Sequence, residues 1–412
     1  MAILLRYMTY SVVTLSKSQA RRIWLRAQKL DSNAPFGGGP QATPAAVQHL
    51  GYVQIDTINV IERCHHHILY TRIPDYRREH LHQAQTTDKT VFEYWGHALA
   101  YLPTTDFRFH VRDMRNYTAS RHPWLRGTRE EQMRAMLARI RRNGPLTIRD
   151  IEDEALVEKT HAWMSRKPSK AVLQLAFNRG QLTISERVGM LKTYELTTRH
   201  FGWKRLPPAA RPNETTNYVI DRALSSQGLV SIQSACHLDA PSKPAVRRII
   251  ESRTRRGELI PVEFPGSGKT QHWARPETLA AIVNSTVDST VHRTVDRAAD
   301  NTGAEDPGER VHILSPFDPL IIQRKRLALF FDYQHRFEAY VPKDKRVFGY
   351  FACPVLVGTE IVAALDLKTD RARQKLLIQK WTWVGKGSAR AHRKLIEPAL
   401  HRFERFQLAP RT

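Results

Sequence analysis

The stretch from Ser169 to Thr197, SKAVLQLAFNRGQLTISERVGMLKTYELT, decides how the chain is read. Val172, Leu173, Ala176 and Phe177 recur with the period of a helix, for which Ser169 is the expected cap and Arg179-Gly180 the end. Gln181 to Arg187 and Leu191 to Thr197 then flank a turn at Val188-Gly189, the pattern of a β-hairpin. Upstream, Met133, Met136, Leu137 and Ile140 mark an amphipathic helix that stops at Asn143-Gly144-Pro145, and Thr147 with Asp150 reads as a capping box. Helix, short helix, helix, hairpin is the order of a winged helix-turn-helix.

The same order returns further along. Val219, Ile220, Ala223 and Leu224 predict a helix ending at Gln227-Gly228, and Val246, Ile249 and Ile250 the buried face of another ending at Arg256-Gly257. Leu259 to Phe264 and Gln271 to Arg275 are strands around a glycine-rich tip. An earlier set comprises helices from Ser18 to Leu30 and Thr43 to Leu50, a strand from Tyr52 to Thr57, and a helix from Ile58 to Ile73 closed by Pro74. Three modules are therefore expected, over residues 16–125, 126–205 and 206–295. Residues 1–15 read as an N-terminal extension. Met1 to Val13 is only mildly apolar, holds Arg6 and lacks a small-residue cleavage site, so export is not expected.

The polar run 296–310 reads as a linker, and residues 311–412 as a β-rich domain closed by a basic helix from Ala389 to Phe406. Its β-prone runs are Val311 to Leu314, Leu327 to Phe331, Phe337 to Val341, Val347 to Phe351, Ile361 to Leu367 and Leu376 to Ile378. They suggest a small antiparallel sheet or barrel.

Charge narrows the function. The 412 residues carry 64 Lys and Arg against 40 Asp and Glu, a net charge of +24. Such an excess repels itself unless the partner is a polyanion, and nucleic acid fits best. No run of apolar residues is long enough to span a bilayer, and no membrane partner is expected. Cys64, Cys236 and Cys353 are too scattered for a disulfide framework or a metal knuckle, which points to a reducing, cytoplasmic setting; with a nucleic-acid partner, association with the nucleoid is expected. Lys170, Gln174, Asn178 and Arg179 on one third helix, and Lys243, Arg247, Arg248 and Arg255 on the next, are expected to face outward as nucleic-acid contacts.

Four constellations invite chemistry. Gly266-Ser267-Gly268-Lys269-Thr270 resembles a phosphate loop, but Glu263 occupies the position that needs glycine and Pro276 interrupts the following segment. A wing tip, with Lys269 toward phosphate, fits better. Asp366-Leu367-Lys368 with Glu360 resembles part of a metal nuclease site, although an ordinary sheet pair explains it. His65, His66 and His67 diverge by about 100° each on a helix and cannot share one ion; only Glu62 with His65 or His66 shares a face. Last, Gln54 and Asp56 stand at i and i+2 on a strand, and so project together beside Arg63, the histidines and Arg72. The plain alternative makes Asp56 a cap for the next helix.

The string Leu50-Gly51-Tyr52-Val53-Gln54-Ile55-Asp56-Thr57, with Val60-Ile61-Glu62-Arg63 and the histidines to Tyr70, closely resembles the winged-helix DNA glycosylases of the YcaQ/AlkZ family. Phe92-Glu93-Tyr94-Trp95-Gly96-His97-Ala98, Ser315-Pro316-Phe317-Asp318-Pro319-Leu320 and Phe348-Gly349-Tyr350-Phe351 extend the resemblance over about residues 16–406. It implies an α+β fold of three tandem winged helix-turn-helix modules plus a C-terminal antiparallel β-barrel. The Gln-apolar-Asp form resembles the YcaQ branch.

The implied activity is monofunctional hydrolysis of the N-glycosidic bond of N7-alkylguanine, including unhooking of interstrand crosslinks, in double-stranded DNA. The implied catalytic residues are Asp56, for the sugar cation and the water's proton, and Gln54, to orient that water. Arg63, His65, His66, His67, Arg72, Lys170, Arg179, Arg187, Lys192, Arg247, Arg248 and Lys269 are the expected DNA contacts. No cofactor or metal is implied, and a monomer is expected. A non-enzymatic winged-helix regulator is the alternative; it calls for a dimer, and no dimerisation heptad is evident.

Overall fold

The computed structural model describes residues 12–121, 125, 127–152, 155–158, 165–282, 310–385 and 389–410. The expected linker, apart from Arg310, lies outside the described residues. The chain divides into two compact units: Met1–Gly38, His49–Tyr76 and Thr216–Thr412 form one, Gly39–Gln48 and Arg77–Thr215 the other. The stretch 16–125 is thus shared between them.

The first unit begins with the helix Lys17–Ala27, capped by Ser16 and Gln19 in a capping box. Its inner face, Ala20, Ile23, Trp24 and Leu25, joins a core with Leu229, Phe264, Leu320, Phe330 and Leu356. The helix Lys243–Arg255 and the antiparallel strands Ile260–Glu263 and His272–Ala274 enclose a second core of Ile220, Leu224, Val246, Ile250, Leu259 and Trp273. Val13–Thr14, expected within the extension, adds a parallel strand to that hairpin at Val262 and Glu263, and Leu15 is buried.

The β-barrel expected at the C-terminal end is corrected to an open sheet. Four strands, Val311–Ile313, Ala352–Val357, Glu360–Asp370 and Lys375–Trp383, run in sequence order as antiparallel neighbours. Closing a sheet requires its outermost strands to pair, and here Val311–Ile313 and Lys375–Trp383 remain edges. Three of the six expected strands have other structures. Leu327 to Phe331 belongs to a helix, Arg324–Phe331, in which Leu327, Phe330 and Phe331 are the buried residues at i, i+3 and i+4. Phe337 to Val341 and Val347 to Phe351 are irregular. Glu338 accepts from the N–H groups of Val347, Phe348 and Gly349, and Asp366 from those of Tyr350 and Phe351, so carboxylates replace a neighbouring strand. Gly349, at φ 128°, is required there: a Cβ would stand 2.2 Å from the Asp366 carboxylate.

In the second unit the deciding stretch folds largely as read. The helix Pro168–Asn178 is followed by the hairpin Leu182–Val188 and Leu191–Leu196. Lys167 replaces Ser169 as the N-cap, because Pro168 takes the first-turn position that tolerates a missing N–H. The helix Glu130–Asn143 precedes it, and Thr147 with Asp150 closes a capping box over a single turn. Among the described residues no helix is long and apolar enough to cross a membrane.

Candidate active site and nucleic-acid interface

Gly51 opens the candidate site. It stops the helix Ala42–Leu50 at φ 77°, and any Cβ would lie 2.2 Å from the Arg222 side chain, whose guanidinium covers Tyr52 at 6.0 Å. The strand that follows is only Val53–Gln54, shorter than expected. Gln54 and Ile55 are buried, whereas Asp56 is half-buried. The Cys64 thiol donates to the Gln54 carbonyl oxygen at 3.0 Å from behind.

The helix expected from Ile58 is reduced to Cys64–Tyr70. In place of its first turns, the carbonyls of Asn59, Val60 and Ile61 turn to partners outside the segment. Thr369 N–H donates to the Val60 oxygen at 2.9 Å, and Arg371 donates to the oxygens of Asn59 (3.2 Å) and Ile61 (2.6 Å) and to the Asn59 side chain (3.1 Å). Asp56 therefore heads a loop instead of a long helix. Its carboxylate accepts from Ile58 N–H at 2.8 Å, a local Asx turn. Burial raises its pKa above the ordinary aspartate value, and the N–H groups of Ile58 and Thr57 pull the other way. A carboxylate so placed keeps an affinity for protons and can accept one from water.

The triple histidine is chiefly structural. The His67 ring is fully buried, donates from Nε2 to the Ile313 oxygen at 2.7 Å and packs 4.6 Å from Phe403; burial lowers its pKa to about 4. His65 is buried against His66, and His66 bonds the Tyr76 hydroxyl at 2.7 Å. Glu62 is buried and accepts from Arg63 N–H at 2.9 Å; Arg63 is half-buried.

Arg72, expected on DNA, is corrected to an interior residue. Its guanidinium has no exposed surface, makes two bonds with Asp318 (2.7 and 2.9 Å) and reaches the Gln28 backbone at 2.9 Å and its side chain at 3.0 Å. Asp318 belongs to the Ser315–Leu320 motif, which thereby acts as the counterion store for the candidate site's own segment. Arg187 is likewise corrected: it is buried in a bidentate pair with Glu93 of the Phe92–Ala98 motif. Fully satisfied interior arginines cannot also face phosphate.

The remaining expected contacts divide by exposure. Lys170, Arg247, Arg248 and Lys269 are exposed, as are Lys243 and Arg255. Arg179 is half-buried and engaged by Glu130 at 2.6 Å and the Tyr117 oxygen at 3.2 Å. Lys192 lies 5.2 Å from the Phe177 ring centre, and burial lowers its pKa to about 8. Asn178, expected to point outward, is buried and bonded by Trp95 Nε1 at 2.8 Å and Gln174 at 2.9 Å. Asp366 is buried with both oxygens on backbone N–H groups, which leaves it no part in a metal nuclease site. Sequence reading missed Arg371 and Asp318 as partners of the site; the Ser-Pro-Phe-Asp-Pro-Leu string was the available signal for the second.

The profile of the AlkZ-like family, described as DNA glycosylase AlkZ-like, matches residues 47–406, which include Gln54, Asp56 and the terminal helix to Phe406. This makes the chain an enzyme of DNA repair of the glycosylase class. It belongs to the AlkZ-like DNA glycosylase family. Its fold is similar to that of Streptomyces sahachiroi DNA glycosylase AlkZ, with a TM-score of 0.59 and 17% identity over 96% of this chain and 97% of that one. The mixed α+β architecture is common to both.

Proposed function

We propose that this glycosylase hydrolyses the N-glycosidic bond of N7-alkylguanine in double-stranded DNA and unhooks crosslinks made through that atom, acting as a monomer without strand cleavage. Alkylation at N7 leaves the base cationic, so it departs as neutral N7-alkylguanine with the glycosidic electron pair and needs no general acid. What remains is a sugar cation and a water. Asp56 stabilises the cation at C1′ and takes the proton of the water as its oxygen bonds C1′; Gln54 holds that water. The observation that carries the reading is the half-buried Asp56 carboxylate, raised by burial and two residues from a buried Gln54. One carboxylate suffices here, unlike the paired carboxylates of most sugar hydrolases, because the lesion activates its own leaving group.

The body that presents DNA to this site is read as three winged-helix modules. Helix Lys243–Arg255, with exposed Lys243, Arg247, Arg248 and Arg255, and the Lys269 tip supply phosphate contacts in the third, and Lys170 in the second. The test is incubation with duplex carrying N7-methylguanine or a nitrogen-mustard crosslink, with no added metal. Free alkylguanine and alkali-labile abasic sites are expected. Intact substrate after extended incubation overturns the reading.

A further inference from the structure

The loop between Asp56 and the helix Cys64–Tyr70 has no regular structure of its own, yet it must hold a reacting carboxylate. Four hydrogen bonds reach it from the end of strand Glu360–Asp370 and the residue after it. Strand Ala352–Val357 pairs with Glu360–Asp366 only, so beyond Asp366 that side of the strand is open. Thr369 N–H uses the opening to bond the Val60 oxygen, and Arg371 spans Asn59 and Ile61. A planar guanidinium that meets three oxygens of one loop fixes its orientation as well as its distance, which a lysine cannot do.

We propose that Arg371 is a positioning residue of the glycosylase site, holding the Asn59–Ile61 segment so that the Asp56 carboxylate stands where the sugar cation forms. The inference rests on the proposed role of Asp56. Arg371 does not touch the reacting atoms. It acts through the loop, and a displacement of about 1 Å at a catalytic group can cost on the order of a hundredfold in rate. The brace also bears on the proton. Asp56 is held down by the Ile58 and Thr57 N–H groups against the opposing effect of burial, with the buried Cys64 thiol behind. A slack loop weakens those N–H bonds, so the affinity of Asp56 for its proton rises.

The experiment measures single-turnover release of N7-methylguanine at saturating enzyme across pH, with DNA affinity determined separately. Arg371→Gln is expected to lower the maximal rate roughly ten- to a hundredfold, leave DNA affinity within about twofold, and move the acid limb of the profile to higher pH. Arg371→Lys should restore part of the rate, and Asn59→Ala, which removes one of the three acceptors, should show a smaller loss with the same direction of shift. A wild-type rate and acid limb in Arg371→Gln, with Asp56→Asn inactive, overturns the positioning role alone. A loss that tracks only the folded fraction, with the acid limb unmoved in Arg371→Lys and Asn59→Ala, overturns it too. Wild-type activity in Asp56→Asn overturns the site reading and this inference together.

Discussion

The segment Arg63 to Arg72 and the helix Lys243–Arg255 look alike as sequence: both are dense in basic residues and both precede or contain a buried apolar face. In the structure they do opposite things. The first turns His65, His67 and Arg72 inward, where the Ile313 carbonyl receives His67 and Asp318 and Gln28 receive Arg72. The second keeps Val246 and Ile250 inside and Arg247, Arg248 and Arg255 outside. Basic composition therefore does not distinguish a counterion network from a solvent-facing surface. What distinguishes them is whether the fold brings an acceptor to the group.

The comparison breaks most visibly at the chemistry. Asp56→Asn should lower base release at least about a hundredfold and leave DNA affinity unchanged, because in the proposed mechanism the carboxylate ahead of the first region acts on the bond and the second region holds the duplex. Equal release by the variant removes the distinction. Next in size is the interior pair: Arg72→Ala strands a buried Asp318 and should cost about 3–5 kcal/mol of stability, read from the denaturant midpoint. An unshifted midpoint would mean that the pair contributes nothing to the fold.

Third, Arg247→Ala with Arg248→Ala should reduce the salt dependence of DNA binding, lowering the slope of log affinity against log salt by about 2, with the single-turnover rate at saturation preserved. A slope that does not change places those side chains off the DNA. The smallest effect is on pH. Asp56 must be ionised to accept a proton, and burial raises its pKa, so activity should fall as pH drops through a value above the ordinary aspartate range. An acid limb at or below that range would show that the carboxylate is better solvated than its burial implies.

Much of the second unit and of the hairpin at 260–274 was legible because local periodicity, caps and glycine turns specify them. Thr147 with Asp150 and the stop at Arg179-Gly180 needed no distant partner. The failures share a cause. Ile58 to Arg63 carries helical pattern, but its carbonyls are taken by Thr369 and Arg371, about three hundred residues away in sequence. Val347 to Phe351 carries strand pattern, but carboxylates satisfy its N–H groups. Arg72 and Arg187 read as surface charge because Asp318 and Glu93 cannot be assigned to them from spacing. At the candidate site the string Gln54-Ile55-Asp56 was visible, whereas the elements that hold it were not.

The pairing of Arg72 with Asp318 joins residues 246 apart in sequence. During synthesis at ~5–20 residues per second, Arg72 waits roughly 10–50 s for its partner, while much of the second unit has already been made. The segment Arg63 to Arg72 is therefore made long before Asp318, which receives Arg72, and before Thr369 and Arg371, which hold the loop ahead of it.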